Sequence, residues 1–252
     1  VNDRRFFLKN SFFAAAFSRF LPERFATYRE KPAPGSRLMN GKVVLFQGDS
    51  ITDGNRTRNT DWNHIMGHGY AYTIASKLWF EFPSKGFHFV NRGVSGNRIT
   101  HLKQRWQTDT LDLKPDVLSF LVGINDVAGF IKGDEGFTAG QFEADYRALL
   151  RLTLEKLPNV RLVLCEPFIL PVGPVKEDWE KYQNEVALRQ EIVKRLASEF
   201  KAIHVPFQYA FDEALGKAPA EYWIWDGVHP MPAGHELMAR LWLEKVKVIL
   251  EI

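Results

Sequence analysis

From Lys42 onward the chain alternates short runs rich in β-branched and aromatic residues with longer amphipathic stretches. That alternation limits the possible folds more than any other feature. Residues 43–47, 88–91, 117–122, 161–165 and 202–205 read as strands. Residues 70–82, 99–111, 139–157, 177–200 and 232–249 read as helices. In the fourth of these, Tyr182, Val186, Val193, Leu196 and Phe200 recur at helical spacing, with Lys, Glu and Arg between them. Strands that alternate with helices must lie parallel and be covered on both faces, so the expected class is α/β. At 252 residues the chain can bury one substantial core. We expect a single domain over 41–252, entered through the Lys31-Pro32-Ala33-Pro34-Gly35-Ser36 linker at the end of an extension over 1–40.

This architecture decides where chemistry can occur. In an open parallel sheet, ligands bind beyond the carboxyl ends of the strands, near the switch in strand order. Three short polar segments follow the first three strands: Gly48-Asp49-Ser50, Gly93-Val94-Ser95-Gly96-Asn97 and Gly123-Ile124-Asn125-Asp126. They therefore share one edge of the sheet. A fourth, Asp226-Gly227-Val228-His229, precedes the last helix and can close over that edge.

Ser50 stands at a strand-to-helix turn, where nearby N–H groups can stabilise negative charge, but a serine hydroxyl needs a base before it attacks. Taken alone, Gly-Asp-Ser would read as a helix cap. The surrounding residues do not form the Gly-x-Ser-x-Gly elbow, since Thr52 occupies the second glycine position. Asp226 and His229 supply the base. Their spacing lets the carboxylate take the imidazole Nδ1–H while Nε2 faces the serine. The Ser50 and Gly96 backbone N–H groups and the Asn125 amide are the available donors for an oxyanion. Asp49 and Asp126 read as structural acceptors in their loops.

With these four segments in order, the chain resembles the GDSL/SGNH hydrolase superfamily. The resemblance implies a flavodoxin-like three-layer α/β/α sandwich around a five-stranded parallel sheet. It implies Ser50 as nucleophile, His229 as base and Asp226 as its orienter, with Ser50, Gly96 and Asn125 forming the oxyanion hole. Gly69-Tyr70-Ala71-Tyr72, Glu166-Pro167-Phe168, Trp225-Asp226-Gly227-Val228-His229-Pro230 and Ala233-Gly234-His235 are similar to the acetyl xylan and xylo-oligosaccharide esterases of that superfamily. Those enzymes remove acetyl groups from sugar hydroxyls and need no metal or other cofactor, so an acetylated carbohydrate is the expected substrate. The alternatives are a lysophospholipase- or thioesterase-like acylhydrolase and a non-catalytic carbohydrate binder on the same scaffold.

Flat aromatic rings with a polar edge suit sugars. Trp225 beside the acid–base turn is the leading substrate contact, with Asp49, Trp62 and Tyr70 as further candidates. His64 and His68 have i,i+4 spacing, but their segment reads as a loop without a zinc-protease glutamate, so they are expected to shape the pocket mouth. The lone Cys165 sits in an apolar run and is expected to be inert. A formal charge of +3 without basic blocks implies no nucleic-acid partner, and no segment is apolar enough to span a membrane. A homo-oligomer stays open. Arg4-Arg5-Phe6-Phe7-Leu8-Lys9 resembles a twin-arginine export signal, which would send the protein to the periplasm or outside. An amphipathic helix on a cytoplasmic protein is the alternative.

Overall fold

The computed structural model describes residues 41–59 and 63–252. The expectations for residues 1–40 and for Trp62 lie outside them. Five strands, β1 (Val43–Gly48), β2 (His88–Asn91), β3 (Val117–Leu121), β4 (Arg161–Cys165) and β5 (Ile203–Val205), form one sheet. All pair in parallel, in the order β2-β1-β3-β4-β5. This is the flavodoxin-like order, and its reversal point lies between β1 and β3.

The helices are α1 (Ser50–Asp53), α2 (Tyr70–Glu81), α3 (Ile99–Trp106), α4 (Ile124–Ile131), α5 (Ala139–Lys156), α6 (Gly173–Glu177), α7 (Trp179–Glu199), α8 (Phe207–Ala214), α9 (Ala220–Trp223) and α10 (Pro232–Leu250). Successive strand residues face opposite layers, as the pleat requires. Val44 and Phe46 pack with α2, α8 and α10, through Ile74, Phe207 and Trp242 among others. Leu45, Leu118 and Phe120 pack on the other face with α3, α5 and α7, through Trp106, Tyr146 and Val193. β3 is buried along its whole length, as a central strand covered on both sides must be. Its one polar residue, Ser119, accepts the indole N–H of buried Trp242 at 2.9 Å.

Several boundaries differ from the sequence pattern. The second helical stretch ends its regular turns at Trp106 and finishes in a π-turn over Gln107–Leu111. The stretch over 177–200 is one helix, α7, which begins at Trp179, and Asp178 separates it from the additional short helix α6. Ile124–Ile131 is a helix rather than part of a loop, and α1, α8 and α9 are also additional. All four run for eight residues or fewer, too short for helical periodicity to stand out. No helix among the described residues is long and apolar enough to cross a membrane.

Candidate active site

Both sides of the reversal point end in a short helix. β1 leads through Asp49 into α1, so Ser50 is the first helical residue. Asp49 caps the helix, its Oδ1 accepting the Ile51 N–H at 3.1 Å. β3 leads through Gly123 into α4, which carries Asn125 in its first turn. The third component comes from the segment before α10. There Ile224 and Pro230 form an isolated bridge, and the Trp225 N–H donates to the His229 carbonyl at 3.2 Å. Gly227 within this turn has φ +98°, and a Cβ there would lie 2.5 Å from Val175, so the turn requires glycine on two counts.

The turn delivers His229 to Ser50. Ser50 Oγ lies 2.8 Å from His229 Nε2, and His229 Nδ1 lies 2.6 Å from Asp226 Oδ2. With Nδ1–H donated to the carboxylate, Nε2 is the acceptor for the serine proton. Asp226 Oδ1 accepts the Val228 and His229 N–H groups at 3.0 and 2.7 Å. Burial pushes this carboxyl up, but its bonds to the His229 backbone and ring and to Val228 outweigh that, and it sits below the usual carboxylate range. It is therefore charged across the pH range in which a neutral imidazole can act as a base.

The donor side is assembled differently. Gly96, at φ +78°, has no heavy atom within 4 Å of where a Cβ would project, so its backbone stands at an open edge. The neighbouring Ser95 N–H is held by Asp53 Oδ2 at 3.1 Å. Asn125 Nδ2 donates to the Asn97 carbonyl at 3.1 Å, tying α4 to the Gly96 loop and leaving its second amide hydrogen free for another acceptor. Among the described residues, the Ser50 and Gly96 N–H groups are given to no other acceptor. Ser50 and His229 open on a cleft of about 330 Å³, lined also by Asp53, Asn55, His68 and Trp225. Trp225 is 62% exposed.

Two sequence expectations for substrate contacts are corrected. Tyr70 is wholly buried, its hydroxyl 3.1 Å from Thr52 Oγ1 and its ring edge-on to Phe46 and Phe207. Asp49 is 1% exposed and faces inward, so neither side chain borders the cleft. Their burial depends on packing that no local pattern shows. His68 lines the cleft, whereas Tyr222 and Trp223 do not. Cys165 is buried against Ser119, and burial pushes its thiol up to about 12, consistent with an inert core residue.

Sequence reasoning missed the residues that brace the donor side. Asn91, at the end of β2, donates to the carbonyls of Thr52 at 2.7 Å and Met66 at 2.9 Å, and accepts the Gly93 N–H at 2.9 Å. Asp53 also pairs with Arg58 at 2.8 Å, and Arg105 binds Asn97 Oδ1 at 2.8 Å. A polar residue closing an otherwise apolar strand is the one local signal that could have exposed Asn91. His235 was missed as well. It lines the cleft, and its Nδ1 accepts the Tyr70 N–H at 3.1 Å.

The model of the GDSL-like lipase/acylhydrolase family matches residues 46–237, which include every one of these segments. The chain belongs to that family. It is 33% identical over 221 residues to an acetylxylan esterase from Geobacillus stearothermophilus, across 83% of this chain and 96% of that protein. A crystal structure from Parabacteroides merdae ATCC 43184, named for its likeness to GDSL lipases, superposes with TM-score 0.78 at 42% identity, covering 83% of this chain and 99% of that one. The Geobacillus esterase superposes with TM-score 0.73 at 32% identity, covering 82% and 94%. Its solved structures include variants at an aspartate, a histidine and a serine, each described as a catalytic mutant. Membership of this family, with such relatives, makes the chain an ester hydrolase.

Proposed function

We propose that the protein is a serine esterase that removes acetyl groups from carbohydrate through an acyl-enzyme. Ser50 Oγ attacks the acetyl carbonyl carbon while His229 Nε2 takes the hydroxyl proton. Asp226 holds the ring in place and stabilises the imidazolium. The Ser50 and Gly96 N–H groups and the Asn125 amide receive the oxyanion. The sugar alcohol leaves with the proton from His229, which then takes a proton from water as it attacks the acetyl-enzyme.

One observation carries this reading: the unbroken Ser50–His229–Asp226 relay opens directly on the cleft beneath exposed Trp225. The cleft's volume suits a small ligand. Its wall combines hydroxyl, carboxylate, amide and imidazole groups with the apolar surfaces of Ile51, Trp225 and Pro230. The acetylxylan esterase relative supports the same substrate class.

The test pairs an aryl acetate with acetylated xylo-oligosaccharides. Wild type should release acetate from both, and Ser50→Ala should lose roughly 10⁶-fold in kcat. Substantial turnover by that variant would sink the mechanism. A preference for long-chain acyl esters over acetyl would instead favour a lysophospholipase-like acylhydrolase. Tight binding of acetylated oligosaccharide without acetate release would point to a binding protein.

A further inference from the structure

The mechanism above uses one histidine, yet a second lines the same cleft. His235 sits in the first turns of α10, is 8% exposed, and borders the cavity with Ser50, His68, Trp225 and His229. Its hydrogen bonding settles which ring nitrogen carries the proton. The Tyr70 backbone N–H donates to Nδ1 at 3.1 Å, so Nδ1 is an acceptor and the hydrogen must be on Nε2. The ring packs closely on the chain at Gly69, where an added Cβ would lie 3.2 Å from its Cε1.

The ring is also neutral. Burial pushes the imidazole down to about 4, and nearby His68 and His229 act in the same sense. The positive end of α10 adds to this. A neutral imidazole whose Nδ1 is already occupied cannot act as the base toward Ser50, and Ser50 is in any case bonded to His229. What remains is a fixed Nε2–H that has no acceptor among the described residues. A donor held this way at the wall of a wet cleft is prepared for a ligand oxygen.

The position indicates which part of the ligand. The oxyanion donors lie toward Gly96 and Asn125, so the acyl carbonyl oxygen points to that side. The alcohol oxygen must face His229, which returns its proton. His235 lines the cleft together with His229 and His68, on that second side. We propose that His235 is a specificity-determining residue whose Nε2–H binds an oxygen of the substrate's alcohol portion, a sugar hydroxyl or ring oxygen beside the scissile ester. This rests on reading the cleft as a carbohydrate ester site.

Two variants separate the donor from the scaffold. In His235→Asn the amide oxygen can still accept the Tyr70 N–H, but nothing reaches the place of Nε2. KM for acetylated xylo-oligosaccharide should rise about 3- to 10-fold, as loss of one neutral hydrogen bond dictates, with kcat little changed. Phenyl acetate, which has no such oxygen, should keep its kcat/KM. In His235→Gln the terminal amide can stand near the place of Nε2, while Tyr70 N–H loses its partner. That variant should have a lower Tm but keep the wild-type ratio of sugar to aryl ester. The inference is overturned if His235→Asn preserves that ratio, or if it lowers both substrates equally. A wild type that shows no preference for the acetylated sugar over phenyl acetate would overturn the carbohydrate reading itself and this inference with it. That result is read before any variant is made.

Discussion

Two carboxylates flank the Ser50–His229 pair, one adjoining each partner, and their surroundings are opposite. Asp226, beside the histidine, keeps its side chain 17% exposed and accepts two backbone N–H groups and the ring. It is held below the usual carboxylate range and stays charged. Asp49, beside the serine, is completely enclosed, accepts the Ile51 N–H on Oδ1 and leaves Oδ2 without a partner. Burial pushes it up to about 7. The same contrast runs through both halves of the site. The acid–base half is a turn of a few residues that satisfies itself. The donor half is built from loops that must be braced from elsewhere in the chain. The carboxylate beside the histidine is held charged, and the carboxyl beside the serine is pushed toward its neutral form.

For this comparison, the largest effect is expected from removing the charge of Asp226 without removing its shape. In Asp226→Asn the amide oxygen can still accept backbone N–H groups, but the amide N–H faces Nδ1 and favours the wrong tautomer. We expect kcat to fall by about 10⁴-fold with little change in Tm. A loss below tenfold would mean that orientation by the carboxylate is not what the turn supplies. Next in size is Asn125→Ala on the donor side, for which kcat should drop by roughly 10²- to 10³-fold with KM held. An equal loss in Tm and activity would recast Asn125 as only a clasp on the Gly96 loop.

The two halves differ equally in how far the sequence exposes them. Asp226 and His229 are three residues apart, so their relation is local, and the triplet Gly48-Asp49-Ser50 is marked by the strand before it. The alternation that predicts the sheet also predicts which loops share its edge, and β1 to β5 fall within a residue or so of where the apolar runs place them. The bracing was not legible. Asn91 reaches residues 25 to 39 positions away, and Tyr70 meets His235 across 165 positions. Such pairings exist only once helices α2 and α10 pack on one face of the sheet. Burial has the same character: Asp49 and Tyr70 looked available to substrate because nothing in their neighbours' identities records the layer above them. The short helix α4 was hidden by its length, although it carries one of the four site segments.

Asn91 tests the braced half directly. Asn91→Ala would leave the Thr52 and Met66 carbonyls and the Gly93 N–H without their partner inside the protein. The expected cost is about 2–3 kcal/mol of stability, since each buried group left unpaired is penalised. Activity of the folded fraction should fall about tenfold, because α1 and the Gly93–Gly96 loop lose their common tie. Chemical denaturation and kinetics well below the midpoint separate the two effects. A variant that loses stability but keeps full kcat would show that the donor half holds its geometry without Asn91.

The smallest effect should come from Asp49, and it tests the contrast between the carboxylates themselves. Asp126, on the opposite side of the reversal point, is likewise pushed up to about 7 by burial, its two oxygens 3.2 and 3.3 Å from the Ile99 N–H. The unfolded chain releases each of these protons near pH 4, whereas the folded chain retains them until about pH 7. Between those values the unfolded state binds fewer protons, so rising pH favours unfolding, and the slope ends once the folded groups have ionised. Asp226 contributes the reverse. Its stabilisation is present above the unfolded carboxylate pKa and is lost as pH falls through its lowered folded value. Asp49→Asn keeps the cap to Ile51 while removing one charge that must be buried, and it lowers the cost of ionising Asp126. Relative to wild type, its Tm should therefore gain a few degrees between pH 5 and pH 8, with the gap widening as pH rises. Parallel Tm–pH curves for the two proteins would mean that Asp49 is already ionised in the fold, and that the two carboxylates beside Ser50 and His229 are electrostatically alike.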